Sequence, residues 1–311
     1  MWERCSRAAL LGIVVTASGA AALRTLTTVS GLSIPAVGLG TAARINASTV
    51  ATAIDLGVKL LDTAQAAEWY DEAGVGTGIR MSRRQRDELW ITTKVHPRSF
   101  GPRSTLARFE QSQMHLNTTY VDALLLHYTC CFGNLCKGAV IEGDWMDAWR
   151  VFEDLNRKSH ARVIGASNVD VEFLHALWQF ADVKPQLVQN RMEPFHQDRA
   201  VRAWCSERKV VYQAYSSLGT QHRALGYNPV FESPLLKQIA AAHPGRSVAQ
   251  VVLQWALQQG VAVIPRSRDA GNIAANIALG AQAGDDWLSE AEMKAINAMD
   301  GCDPAQSRGG T

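Results

Sequence analysis

Four polar residues in the first half of the chain have side chains suited to proton transfer. Asp62, Lys94 and His127 each end a short apolar run, and Tyr70 lies in the segment after the first run. An isolated buried ammonium is costly, so we expect Lys94 to pair with Asp62. This pair, placed beside Tyr70, is expected to lower the pKa of the phenol. His127 would donate a hydrogen bond to a substrate carbonyl while Tyr70 delivers a proton.

Eight short strand-like runs, separated by stretches of helical period, would position these residues. Their order predicts a closed (β/α)8 TIM barrel, because right-handed crossovers bring the carboxyl ends of parallel strands together at one face. Each polar residue alone is more often structural than catalytic, but their occurrence on consecutive strands favours an active site. The runs are Val37–Gly40, Lys59–Asp62, Leu89–Thr93, Val121–Leu126, Val163–Ala166, Leu187–Gln189, Val210–Ala214 and Val261–Ile264.

Two further elements and one alternative architecture follow from the same pattern. The segment Thr28–Ser33, before Pro35, predicts an N-terminal β-hairpin at the floor of the barrel, and a helix is expected near the C terminus. An open doubly wound sheet is the alternative fold. No G-x-G-x-x-G motif opens a first strand–helix turn, which favours the barrel.

Composition limits the classes of partner. The chain has 311 residues, of which 47% are hydrophobic and 19% charged, with a net charge of +2. No long basic block is present, so a nucleic-acid partner is not expected. Residues 1–22 carry Arg4 and Arg7 ahead of a short apolar stretch, which predicts a targeting segment or a disordered N terminus and no stable membrane span. Residues 23–311 would then form one domain, in a secretory or organellar location if the segment is a targeting signal and otherwise in the cytoplasm.

Three of the six cysteines, Cys130, Cys131 and Cys136, cluster in the segment HYTCCFGNLC. They are interpreted as loop-packing residues, with a local disulfide as the alternative. No second Cys/His pair stands at zinc-ligand spacing, so no metal site is predicted.

The chain resembles the aldo-keto reductase family over Leu32–Asp300, since eight motifs occur in family order. The resemblance implies an NAD(P)H-dependent, monomeric enzyme that reduces a small carbonyl substrate. Asp62, Tyr70, Lys94 and His127 would form its catalytic tetrad, with Tyr70 as the general acid. The motifs are VGLGT (37–41), LLDTA (60–64), ITTK (91–94), LLLHY (124–128), IGASN (164–168), PQLVQN (185–190), YQAYSSLG (212–219) and VIPRS (263–267).

The resemblance also implies a cofactor site in the second half of the chain. Amide and hydroxyl side chains would hold the nicotinamide carboxamide, because such a group needs both donors and acceptors. Tyr215 would stack on the nicotinamide ring, and Arg268 adds charge that favours NADPH, with NADH as the alternative. The remaining residues implied are Ser167, Asn168 and Gln189 for the carboxamide, Ser216, Leu218 and Gly219 for the pyrophosphate, Arg266 and Ser267 for the 2′-phosphate, and Asn276 for the adenine.

Two positions depart from the family pattern. The usual tyrosine position, five residues after the aspartate, is Ala67, and Tyr70 lies eight positions after Asp62. Either a longer loop returns the phenol to Lys94, or the acid is lost and the chain is a nicotinamide-binding regulatory or sensor protein with little turnover. Asn272 stands where relatives carry an arginine, which would weaken cofactor binding and the preference for NADPH.

A third functional class is a barrel hydrolase or isomerase that uses Asp62 and His127 without nicotinamide. For the reductase, loops after the strands are expected to form the substrate pocket. The aromatic residues among them favour an apolar or aromatic aldehyde or ketone. The expected pocket residues are Trp69, His96, Phe132 and Trp145.

Overall fold

The computed structural model of the chain describes residues 23–281 and 286–304. The predicted targeting segment, residues 1–22, lies outside these described residues. The chain first forms two short strands, β1 (Thr25–Thr27) and β2 (Ser33–Pro35), which pair antiparallel. This confirms the predicted hairpin, whose Leu26 and Leu32 pack against apolar residues inside the barrel.

The eight predicted strands form one parallel sheet that follows chain order from β3 to β10. A parallel bridge between Val37 and Val263 joins the first and last strands, so the (β/α)8 barrel is confirmed and the open sheet is not formed. The strands are β3 (Leu39–Gly40), β4 (Leu60–Asp62), β5 (Trp90–Val95), β6 (Val121–Leu126), β7 (Ala161–Ser167), β8 (Leu187–Arg191), β9 (Val211–Tyr215) and β10 (Ala262–Val263).

Helices cover the outside of the barrel, and several begin where the sequence supplies a capping side chain. Asp170 accepts a hydrogen bond from the Phe173 backbone N–H at 2.8 Å, and Ser247 forms a capping box with Gln250. The helices are α1 (Ala47–Asp55), α2 (Glu72–Met81), α3 (Pro102–Leu116), α4 (Trp145–Arg157), α5 (Val171–Phe180), α6 (Arg199–Glu207), α7 (Pro229–Glu232), α8 (Pro234–Ala242), α9 (Val248–Gln258), α10 (Ala270–Ala278) and α11 (Glu290–Asn297).

Side chains along each strand alternate between two apolar cores. In β6, Ala123 and Leu125 face the barrel interior, whereas Leu124 and Leu126 pack against the helices. The same alternation in β5 places Lys94 on the interior side, two residues after Thr92 and four after Trp90. The two-residue alternation of side-chain direction therefore determines which polar residues can meet inside the barrel.

Two further features of the described residues bear on the sequence predictions. Cys131 and Cys136 form a disulfide in the loop after β6, so the local disulfide was the correct alternative for this cluster. Within residues 23–281 and 286–304, no helix combines the length and apolar character needed to cross a membrane.

Candidate active site

Three predicted site residues meet at the carboxyl end of the barrel. Asp62 is the last residue of β4, Lys94 lies near the end of β5, and His127 directly follows β6. All three are buried and lie on the inward-facing side of their strands. A common edge of three adjacent parallel strands thus brings together residues that are far apart in sequence.

Lys94 and Asp62 form a buried ion pair. Lys94 Nζ lies 2.7 Å from Asp62 Oδ1 and donates a second hydrogen bond to the Thr63 carbonyl oxygen at 2.9 Å. Gln189 Nε2 donates to the other carboxylate oxygen, Oδ2, at 2.7 Å. Both oxygens of Asp62 are therefore hydrogen-bonded, which compensates for the removal of this charge from water.

The longer loop after β4 brings Tyr70 to this ion pair. The Tyr70 backbone N–H donates to the Ala66 carbonyl oxygen at 2.8 Å, and this turn leaves Ala67 exposed. The next residue, Asp71, caps α2 and so fixes the end of the loop. The centroid of the Tyr70 ring lies 5.1 Å from Lys94 Nζ and 5.9 Å from the centroid of the His127 ring. The loop thus places the Tyr70 ring beside Lys94 and His127.

Burial keeps the Tyr70 phenol and the His127 imidazole neutral. Burial is the main cause that raises the pKa of Tyr70, and the Asp62 carboxylate raises it further. The expected lowering of the pKa of Tyr70 is therefore wrong for the free protein, because loss of hydration and the Asp62 carboxylate outweigh the Arg266 guanidinium group, which lowers it. Burial also holds the pKa of His127 well below its usual value, with Lys94 adding to the effect. Tyr70 therefore retains a proton to give, and His127 can donate only as a neutral ring.

Aromatic rings form the wall of the site around His127. Tyr128 stacks on His127 with ring centroids 4.7 Å apart, and the Trp69 ring meets His127 edge-on at 6.1 Å. Phe132 lies in the loop closed by the disulfide, and the centroid of its ring lies 5.4 Å from that of Tyr128. His96 is buried behind His127 at 6.1 Å, and burial together with Arg98 lowers its pKa to about 4. Trp69 and Tyr128 line the cavity, whereas the predicted pocket residues His96 and Phe132 lie outside this lining.

Trp145 lies elsewhere. It is the first residue of α4, and its ring packs against Phe173 and Phe180 at 5.0 and 5.3 Å. It is absent from the lining of the active-site cavity. The insertion between β6 and α4 ends before Trp145, so this ring joins the packing of neighbouring helices instead of the pocket.

A cavity of about 660 Å³ is lined by Asp62, Tyr70 and His127 and extends over the ends of β7 to β10. On this side, Tyr215 Oη donates to Asn168 Oδ1 at 2.5 Å, and Asn168 Nδ2 donates to the His127 carbonyl oxygen at 2.8 Å. Asn168 adopts φ 58°, a left-handed conformation that asparagine tolerates. The predicted cofactor residues that line this cavity are Ser167, Asn168, Gln189, Tyr215, Ser216, Leu218 and Arg266.

Part of the cavity lining is positively charged. Arg223 and Arg266 both line it, and the pKa of Arg266 is lowered by burial and by the nearby Arg223 and Arg268 guanidinium groups. Ser217 Oγ is buried there without a hydrogen-bond partner in the described part of the chain. Two adjacent cations and an unused hydroxyl group suit a phosphate-bearing ligand.

Gly219 shapes the loop that carries Arg223. It adopts φ +74°, and a Cβ atom at this position would lie 2.7 Å from Val230 Cγ2. Only glycine fits this turn without strain, and a short 3-10 helix, Thr220–Leu225, follows it. Thr220, Gln221 and Arg223 all line the cavity, although no sequence motif indicated them individually. The sequence feature that could have indicated this part of the cavity is Gly219 followed four positions later by the basic Arg223.

Three predicted cofactor residues do not line this cavity, namely Gly219, Ser267 and Asn276. The Ser267 hydroxyl group hydrogen-bonds to the backbone of Asp269, at the start of α10. Asn276 is buried within α10. Their assignments to the pyrophosphate, the 2′-phosphate and the adenine stay predictions.

Fold and site together define a (β/α)8-barrel protein with a polar active site at the carboxyl ends of its strands. Residues 38–300 match the aldo/keto reductase family, and the chain belongs to this family. It is 33% identical over 274 residues to glyoxal reductase of Bacillus subtilis (strain 168), a match that covers 87% of this chain and 90% of that protein.

A second relative and a solved structure agree with this assignment. The chain is 30% identical over 277 residues to glycerol 2-dehydrogenase (NADP(+)) of Hypocrea jecorina, covering 82% of this chain and 87% of that protein. The crystal structure of an aldo/keto reductase from Brucella melitensis superimposes with a TM-score of 0.77 at 30% identity, covering 90% of this chain and all of that one. The resemblance predicted from the motifs is confirmed, and the chain is an oxidoreductase of this family.

Proposed function

We propose that this protein reduces an aldehyde or ketone to the alcohol, with NADPH as the reductant and Tyr70 as the general acid. The observation that carries the proposal is the distance of 5.1 Å between Lys94 Nζ and the Tyr70 ring centroid. Tyr70 stands three positions later than the family pattern predicts, and the longer loop still brings its ring to the buried ion pair.

The side chains of the tetrad divide the proton chemistry. His127, neutral because burial lowers its pKa, orients the carbonyl oxygen through a hydrogen bond. As the carbonyl carbon gains hydride, the oxygen takes the phenolic proton of Tyr70 and becomes the hydroxyl group of the product. The Lys94 ammonium stabilises the phenolate that forms, and water then returns a proton to it. The barrel thus contributes position and electrostatics.

The cavity fits a dinucleotide by chemical type along its length. Ser167, Asn168 and Gln189 offer neutral amide and hydroxyl groups beside the tetrad, which suit a carboxamide. Tyr215 offers an aromatic ring, and the positive charge of Arg223 and Arg266 suits phosphate groups. When bound there, NADPH supplies the hydride. A third guanidinium group, Arg268, close enough to act on Arg266, favours NADPH over NADH.

The open side of the site favours an apolar or aromatic substrate. Trp69 and Tyr128 line the cavity next to His127, and Phe132 extends this aromatic wall. Such rings bind flat apolar groups through stacking and burial. We therefore expect aromatic aldehydes to be reduced with a lower KM than short aliphatic ones.

Two measurements on the wild-type protein test this function. Tryptophan fluorescence is titrated with NADPH, and NADPH oxidation is then followed with a panel of aromatic and aliphatic aldehydes and ketones. We expect both binding and turnover. Binding without turnover of any aldehyde or ketone would refute the enzyme and support a nicotinamide-binding regulatory protein. Absence of binding would refute both the NADPH-dependent reductase and the regulatory protein.

A further inference from the structure

We propose that Gln213 is a positioning residue, which fixes the atoms that Gln189 presents to the nicotinamide carboxamide. This inference rests on the proposed function, where Gln189 contacts that group. Gln213 is fully buried inside the barrel and is absent from the cavity lining. It must therefore act through Gln189.

The two glutamines lie opposite each other on neighbouring strands, β8 and β9. Gln189 Nε2 donates to Gln213 Oε1 at 2.7 Å and to Asp62 Oδ2 at 2.7 Å. A side-chain amide nitrogen carries two hydrogens, so both are used in these contacts. The remaining polar atom of Gln189 is Oε1, which can only accept a hydrogen bond.

This arrangement gives Gln189 a fixed polarity. Turning the amide over would bring its oxygen to within hydrogen-bond distance of the Asp62 carboxylate, where two acceptors would repel each other. Gln213 adds a second contact that is lost if Gln189 rotates. The side chain is thereby held as an acceptor for the NH2 group of a carboxamide.

The hydrogen bonding of Gln213 indicates that its side-chain oxygen has a role. Its Nε2 atom is buried and has no hydrogen-bond partner within residues 23–281 and 286–304. An apolar side chain of similar length would fill the same space without burying an unmatched donor. The position therefore keeps an amide at a cost, and the contact made by its oxygen is the one with Gln189.

The test compares the affinity for NADP+ with that for its 3-acetylpyridine analogue, in which a methyl group replaces the NH2 group. Dissociation constants are measured by quenching of tryptophan fluorescence, which needs no turnover. Wild type should prefer NADP+ by about tenfold, because Gln189 Oε1 requires a donor. Gln213→Met removes one of the two acceptors that hold Gln189 Nε2, and the preference should fall about fivefold because the amide, held by Asp62 alone, can pivot and no longer aims its Oε1 at the carboxamide.

Gln197→Met is the matched control. Gln197 is equally buried, and its Nε2 donates to the carbonyl oxygens of Pro194 and Ile296, away from the cavity. This variant should lose stability but keep the wild-type preference. A purely structural role of Gln213 would likewise lower stability without changing the ratio of the two dissociation constants.

Each outcome separates the two proposals. A wild-type protein that binds neither nucleotide would overturn the proposed function. Equal binding of both nucleotides by wild type, or an unchanged preference in Gln213→Met, would overturn the role of Gln213 and leave cofactor binding intact. If Gln213→Met does not fold, side-chain amide exchange in wild type decides by NMR, with Gln189 assigned through Gln189→Leu. Slow exchange of both Gln189 protons is expected, and fast exchange of either would overturn the inference.

Discussion

Replacing Lys94 with methionine should strongly destabilise the fold. The lysine and Asp62 side chains are only 1% and 2% exposed, and their charged atoms lie 2.7 Å apart. Lys94→Met keeps the apolar stem but leaves the Asp62 carboxylate buried with Gln189 as its remaining side-chain donor. Removing one partner of a buried ion pair costs about 3–5 kcal/mol of unfolding free energy, because the other charge stays uncompensated.

An exposed ion pair provides the matched control. Lys237 Nζ lies 2.8 Å from Glu232, and both side chains are about half exposed. Lys237→Met should therefore cost less than about 1 kcal/mol. Urea denaturation followed by circular dichroism gives both values, and Asp62→Asn combined with Lys94→Met should recover part of the loss. Equal costs for Lys94→Met and Lys237→Met would refute the buried ion pair.

Three other predictions follow from the site. The folded pKa of His96, about 4, lies below its unfolded value of about 6.5, so the unfolded state takes up a proton first. Stability should therefore fall as the pH drops from about 6.5 to 4. Over the same pH range the melting temperature of His96→Gln should fall less than that of wild type. Arg266→Ala should weaken NADPH binding at least about tenfold, whereas the exposed Arg84→Ala should leave the fluorescence titration unchanged. Cys131→Ser should loosen the loop behind Tyr128 and raise KM for aromatic aldehydes without altering the Kd for NADPH; an unchanged KM would argue against this wall.

The sequence was sufficient to predict the barrel and the meeting of Asp62, Lys94 and His127 at one end of it. Asp62, Lys94 and His127 each end an apolar run, and parallel strands necessarily bring such ends to one edge. In the structure Ala123 and Leu125 face the barrel interior, so the two-residue period of the strand turns His127 inward as well. Because the run is apolar on both faces, the sequence alone does not predict which face points inward.

The geometry of the loops and the effects of burial could not be predicted from the sequence. The return of Tyr70 to Lys94 depends on a turn at Ala66 and a cap at Asp71, which spacing alone does not predict. The direction of the Tyr70 pKa shift was predicted wrongly, since the weight of burial against charge requires coordinates. Arg223 lies in a 3-10 helix that has no apolar period, so periodicity did not reveal its place in the cavity.

The central claim is that the Tyr70 phenol is the proton donor, and Tyr70→Phe tests it most directly. This variant removes one oxygen from a cavity-lining ring, and Tyr128→Phe removes one from a neighbouring ring as the control. We expect kcat/KM for aldehyde reduction to fall by about 10²–10⁴ in Tyr70→Phe, with an unchanged Kd for NADPH. Tyr128→Phe should stay within a few-fold of wild type. A Tyr70→Phe protein that reduces aldehydes at the wild-type rate would contradict the account.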